Sequence, residues 1–301
     1  MKLVPQRISE YVRYHINGDC QCNGQVLSEY CSNHKIQKGD KIMIAYFYSI
    51  TYSVPTAIYL YQRKNKIFEN IDLWVDNNQN KLIFQSDRKY MKYQGRFKVL
   101  LKQFEQLNFD FIMGEKIDIE QALQKVQGWK QFGRFASFLF VETFITMENL
   151  GYINTNTIDW EKGDTATSGI MNVFGYDKSA DYFDKNNKLP SSVKTETLDK
   201  MLQILQKRIA KLNGDNNVTK VETSLCAYRK HYKGTRYNGY YLDRQLQEIY
   251  YYLQIGERAM AKELFSIRLK LFNRKHLGEV CGWKGIRNEL KKEYLRTGKI
   301  L

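Results

Sequence analysis

Apolar positions along this chain recur mostly at spacings of three and four, which is the signature of amphipathic helices. Residues 6–16, QRISEYVRYHI, place Ile8, Tyr11, Val12 and His15 on one face. Residues 38–62 are the most apolar stretch, and their length and lack of alternation predict buried helix rather than strand. Asp40 is the expected N-cap there, and Pro55 breaks that helix or opens a second one. Helices are also predicted over 98–112, 117–150 and 194–212. The run from Phe135 to Met147 is apolar almost all round, so it belongs in a core, yet it carries Glu142. KLIFQ (81–85) and KIFENIDLWV (66–75) are the strand candidates, and no internal repeat is evident. The expectation is a mainly α, compact chain with little strand. It forms a single helical domain over 1–301, or two packed lobes of about 1–115 and 116–301.

One stretch organises the rest: Val221 to Arg244, VETSLCAYRKHYKGTRYNGYYLDR. Val221, Leu225, Tyr228 and Tyr232 share a helical face, and Glu222, Cys226 and Lys230 form a second stripe. Arg229 and Lys233 fall on a third, wet face. Gly234 is a natural stop, and a second helix starts near Tyr240. Five basic residues, Arg229, Lys230, Lys233, Arg236 and Arg244, are interleaved with Tyr228, Tyr232, Tyr237, Tyr240 and Tyr241. Guanidinium and ammonium groups pair with phosphate oxygens, and rings offer faces to bases. The same pattern also suits a half-buried helix with a solvated basic face.

Composition sharpens this picture. The 301 residues carry a formal charge of +15, with 22 Tyr and 16 Phe. Such an excess implies an anionic partner, nucleic acid first. No run of eighteen apolar residues and no signal-peptide core is present, so the expectation is a cytoplasmic chain with no membrane segment. Five cysteines, three of them near the N-terminus, fit free thiols in a reducing compartment. Cys20, Cys22, Cys31 and His34 do not follow zinc-finger spacing, and no metal or cofactor is expected.

Other candidate residues are scattered. Glu142, inside an apolar helix, is either half of a buried ion pair or an acid with a tuned pKa. Residues 81–97 hold a second basic–aromatic cluster that includes Arg88. Asp159 to Gly169 is rich in small polar residues, and Asp159, Thr167, Ser168 and Gly169 are candidates for an anion-holding loop at a helix start. Neither G-x-x-x-x-G-K-[ST] nor a G-x-G-x-x-G after a strand occurs.

Three segments resemble a virus-encoded DNA-modification superfamily, the α-glutamyl/putrescinyl-thymine pyrophosphorylase group. That group includes amino acid:DNA transferases and the helical domain found with 5-hydroxymethyluracil DNA kinases. The segments are Gly133-Arg134-Phe135 through Glu142, Asp159 through Gly169, and Glu222 through Arg244. The last is long and specific, and Arg229 stands where that group usually has Lys. The N-terminal cysteines also depart from the pattern.

The resemblance implies a helical fold distantly like that of DNA glycosylases. It implies chemistry on activated, pyrophosphorylated or phosphorylated 5-hydroxymethyluracil in double-stranded DNA. A free amino acid or amine would displace the leaving group, with a 5-hydroxymethyluracil DNA kinase as a possible partner. Such chemistry needs a reachable base, cations for the leaving group and a carboxylate to take a proton. The residues that suit these tasks are Glu142, Glu222, Lys230 and Asp243 for catalysis. Arg88, Arg134, Arg229, Lys233, Arg236 and Arg244 suit phosphate or DNA contact, and Tyr228, Tyr237, Tyr240 and Tyr241 suit a base pocket. Two alternatives stand beside this: a non-catalytic DNA-binding partner of such a kinase, and a glycosylase-like base-excising enzyme.

Overall fold

The computed structural model describes residues 5–17, 22–93, 95–115, 117–150, 152–153, 158–160, 164–176, 193–232 and 240–272. Among them the chain is mainly helical. The helices are α1 (Pro5–Asn17), α2 (Cys22–Asn33), α3 (Lys38–Thr51), α4 (Val54–Gln62), α5 (Lys64–Glu69), α6 (Ile71–Asn78) and α7 (Arg96–Phe104). They continue with α8 (Ile119–Gln127), α9 (Arg134–Glu148), α10 (Asp164–Val173), α11 (Thr195–Ala210), α12 (Val218–Tyr232), α13 (Tyr240–Gln254) and α14 (Arg258–Leu271). No described helix is long and apolar enough to cross a membrane.

The chain divides into two compact units. One gathers residues 1–21, 154–240 and 280–282; the other gathers 22–153, 241–279 and 283–301. The expected boundary near residue 115 falls inside the larger unit, which the smaller one interrupts in sequence.

In the smaller unit α10 and α12 pack most closely. A Cβ on Gly169 would overlap the Leu225 carbonyl oxygen, so only glycine permits that approach. The face of α12 read from the sequence is buried at Val221, Leu225 and Tyr228, whereas Tyr232 reaches solvent.

In the larger unit α3 runs through the core with Ile44, Ala45, Tyr46, Phe47 and Ile50 fully buried. It ends at Tyr52, whose φ of 54° is left-handed, with its N–H bonded to the Tyr48 carbonyl at 2.6 Å. For a residue with a Cβ that conformation costs about 1–2 kcal/mol. Ser53 then caps α4, accepting from the Thr56 N–H at 3.4 Å, and Pro55 sits in the first turn, where its missing N–H costs nothing. Pro55 thus opens a second helix, one of the two outcomes expected for it. Asp40 does not cap α3. Gln37 occupies that position, and Asp40 instead pairs with Lys64 at 2.5 Å and accepts from the Tyr61 hydroxyl at 3.0 Å.

The strand candidates are not strands. KIFENIDLWV is α5 and α6, split by Asn70, whose side chain accepts from the Leu73 N–H at 3.0 Å and restarts the helix. KLIFQ is extended between two 3₁₀ turns, anchored by Gln85 N–H to the Thr51 carbonyl at 2.9 Å. Strand pairing among the described residues is a two-residue parallel contact elsewhere, Ile117 with Tyr152 and Asp118 with Ile153.

Candidate functional site

Two buried polar clusters stand out, one in each unit. In the smaller unit Ser224 Oγ lies 2.7 Å from both His15 Nδ1 and the Tyr11 hydroxyl. His15 Nε2 lies 2.7 Å from the Asp215 carbonyl oxygen. A carbonyl only accepts, so Nε2 carries the hydrogen, and the single Ser224 hydroxyl hydrogen lies between His15 Nδ1 and the Val221 carbonyl at 3.0 Å. Tyr11 in turn donates to Ser224. The cluster staples α1 to α12, and its ring neighbour is Tyr228, packed edge-on to Tyr11 at 5.3 Å and to Tyr14 at 5.4 Å.

The cluster in the larger unit is charged. Glu248 on α13 is buried, and burial pushes its carboxyl up to about 6, against the pull of Arg244, Ser53, Gln85 and Arg268. Arg244 Nε lies 3.3 Å from Glu248 Oε1, one helical turn away. A chain of hydroxyls converges on the other carboxylate oxygen. Tyr252 donates to Thr56 at 2.9 Å, Thr56 to Ser53 at 2.9 Å, and Ser53 to Glu248 Oε2 at 2.8 Å. On the far side, Arg268 donates to Gln245 at 2.5 Å, Gln245 to Asn23 at 2.8 Å and Asn23 to the Tyr48 hydroxyl at 2.9 Å.

Arg244 also begins a ladder of alternating cations and rings. Its guanidinium sits 5.5 Å from the Tyr241 centroid and 4.3 Å from that of Tyr52. Tyr52 meets Phe135 edge to face at 5.3 Å. Arg88 lies 5.6 Å from Phe135 and 5.8 Å from Tyr90, and Arg96 closes the series 5.2 Å from Tyr90. Within about 6 Å of a ring a cation is attracted to the negative π face, more so when both are desolvated. Burial opposes the Arg244 charge, but Tyr52, Glu248, Tyr48 and Tyr241 together outweigh it, so the guanidinium stays fully protonated. Arg244 Nη2 donates to the Tyr52 carbonyl at 3.4 Å, while Nη1 finds no hydrogen-bond partner among the described residues.

The ladder runs from the core to solvent. Arg244, Tyr241, Tyr52 and Arg88 are buried, Tyr90 and Arg96 are half-buried, and Phe135 keeps 40% of its surface exposed. Tyr93, on the same stretch as Tyr90, is 66% exposed. Phe135 is a departure from the all-round burial expected of its helix: α9 buries Ala136, Phe140 and Phe144 but leaves this ring at the surface. Glu142 is half-buried and lies two turns along α9 from Phe135, on the same face.

The remaining expected site residues divide as follows. Arg88, Tyr241 and Arg244 belong to the ladder. Arg134 adjoins it as the first residue of α9 and is half-buried. Asp243, beside Arg244, is buried, and Tyr240 is half-buried at the start of α13. Glu222, Arg229 and Lys230 are half-buried on α12 in the other unit, with Arg229 Nη1 3.5 Å from Thr165 Oγ1. Tyr228 is a core ring there, packed on tyrosines rather than lining a pocket. Thr167, Ser168 and Gly169 lie inside α10 and are buried, Thr167 donating to the Trp160 carbonyl at 2.9 Å; Asp159 precedes the helix and is exposed. The small residues expected to form a loop therefore serve helix packing instead. Lys233, Arg236 and Tyr237 fall outside the described residues, as does Cys20.

Cys22 and Cys31 are buried, and His34 pairs with Glu263 at 2.5 Å. Among the described residues no three His, Cys, Asp or Glu side chains are grouped to hold a metal. Glu248 carries no signal in the sequence pattern; Phe135 was expected in the core of its helix, and Tyr52 is one of the tyrosines of 38–62 that outnumber what a dry core wants. Comparison with protein-family models, curated proteins and solved structures found no match to this chain.

Proposed function

We propose that the chain is a DNA base-hypermodification transferase. It takes activated 5-hydroxymethyluracil in double-stranded DNA and replaces the phosphate or pyrophosphate with an amino acid or amine. The observation that carries the reading is the arginine–aromatic ladder: three guanidiniums among rings, running from beside a buried carboxylate past the exposed Phe135 to Arg96. The resemblance of the 222–244 block, which ends on the ladder's own Arg244, supports the same direction.

In this reaction the amine nitrogen forms a bond to the C5 methylene carbon while the carbon–oxygen bond breaks. The leaving group departs with the electron pair, and the new ammonium gives up a proton. Guanidiniums of the ladder offset the charge that grows on the departing phosphate, a task suited to Arg because its planar fork pairs with phosphate oxygens. Glu142 is the proton acceptor in this reading. It shares a unit and a helix face with Phe135, whereas Glu222 belongs to the other unit.

The test is mass spectrometry of nucleosides from hydroxymethyluracil DNA, first activated by a kinase and then incubated with the protein and an amino-acid mixture. A new aminated thymidine derivative is expected. Loss of the modified base instead would favour a base-excising enzyme, and DNA recovered unchanged would favour a non-catalytic module. Glu142→Gln should keep the fold and lower turnover by about a hundredfold or more. Full activity in that variant would remove Glu142 from the mechanism.

A further inference from the structure

We infer that Phe135, the exposed ring midway along the ladder, is a nucleobase-stacking surface on which an extruded or single-stranded base rests. This rests on the proposed action on DNA, but it assigns recognition to residues outside the 221–244 block. A lone exposed Phe is ordinary on a protein surface and needs no explanation. Phe135 differs because it is held in place. Tyr52 meets it edge to face at 5.3 Å, and the Arg88 guanidinium fixes it from another direction at 5.6 Å. Tyr52 itself is locked by its left-handed backbone and by Arg244 above it, so the support reaches into the core.

A ring held this rigidly loses little entropy on binding. The cost of ordering a side chain has already been met on folding.

The surroundings name the partner by charge. Arg134 precedes Phe135 in sequence, Arg88 and Arg96 flank Tyr90, and Lys89 and Tyr93 are exposed on the same stretch. A flat apolar ring among cations matches a nucleotide, which presents a π face beside an anionic backbone. An acidic peptide would satisfy the cations but would have no flat group for the ring. A membrane surface would call for a cluster of aliphatic side chains around it.

The experiment uses the full chain and unmodified oligonucleotides carrying 2-aminopurine, single-stranded and duplex, followed by fluorescence quenching and anisotropy. The wild type should quench the single strand strongly. Phe135→Leu keeps apolar bulk but removes the π face, and should weaken single-strand binding by roughly 5- to 100-fold. Phe135→Trp should retain wild-type binding. Arg134→Gln should leave quenching in place and reduce the salt slope by about one phosphate contact. Circular dichroism confirms that each variant is folded. A folded Phe135→Leu protein that binds and quenches like the wild type overturns the proposal, as does binding confined to duplex through phosphates alone. Because no activated base is present, this result is independent of whether the transferase activity is found.

Discussion

The two buried polar clusters solve the same problem with opposite chemistry. Around Ser224 the buried groups are uncharged hydroxyls, an imidazole and carbonyls: His15 gives to the Asp215 carbonyl, and the Ser224 and Tyr11 hydroxyls bond each other, His15 and the Val221 carbonyl, with the Asp215–Lys220 ion pair at the rim. Around Glu248 an ion pair is buried and only partly satisfied internally, since Arg244 Nη1 has no acceptor among the described residues and leans on aromatic faces instead. A neutral cluster of this kind is structural and closes on itself. A charged one costs desolvation, which its hydrogen bonds and ring contacts must offset. The proposed site lies on the charged side of that contrast, although α12 carries more of the expected residues.

The largest expected effect comes from removing one charge of the Arg244–Glu248 pair. Arg244→Ala should destabilise the protein by about 3–5 kcal/mol in denaturant unfolding, because Glu248 is left buried without its cation. Arg244→Met combined with Glu248→Leu should recover more than half of that loss. A double variant as unstable as the single one would show that the rings, not the charge, make Arg244 indispensable.

Titration separates the clusters by sign. Glu248 has a folded pKa raised to about 6, so its contribution is fully present below the unfolded value and is lost as pH rises through about 6. Glu248→Gln removes that dependence, and its stability relative to wild type should improve by about 2 kcal/mol between pH 4 and 7. Parallel stability profiles would contradict a raised pKa. His15 behaves the other way. Burial lowers its pKa, with the Asp215 carbonyl opposing, so its stabilisation is present above the unfolded value and fades as pH falls through the lower folded one.

The smallest effect is expected in the neutral cluster. Ser224→Ala deletes one buried hydroxyl and should cost about 1–2 kcal/mol, with no change in DNA binding. A marked loss of binding in that variant would move the functional site to the smaller unit.

Much of the helical frame was legible in the sequence. Pro55 marked the start of α4, and Val221, Leu225 and Tyr228 marked the buried face of α12. The break near Gly256 separates α13 from α14. Four ladder members, Arg88, Tyr90, Tyr241 and Arg244, stood out in the sequence as basic or aromatic candidates. Tyr52 and Phe135 read from the sequence mainly as core rings, because what makes them informative is contact with residues far away in sequence. Periodicity assigns Phe135 to a core helix and has no means of exposing one position of it. A left-handed cap is usually announced by glycine, and Tyr52 carries no such mark. Gly169 misled in the opposite direction: a glycine among Thr and Ser reads as loop, yet it marks a close crossing of two helices.

The Arg244–Tyr52 contact joins residues 192 positions apart. On a ribosome the chain through residue 153 emerges well before Arg244 does. At usual elongation rates the intervening segment takes on the order of ten seconds. Throughout that interval Tyr52 lacks the Arg244 guanidinium that covers it, and the Ser53 hydroxyl lacks its acceptor, Glu248. The larger unit therefore completes only after residues 241–279 have been made.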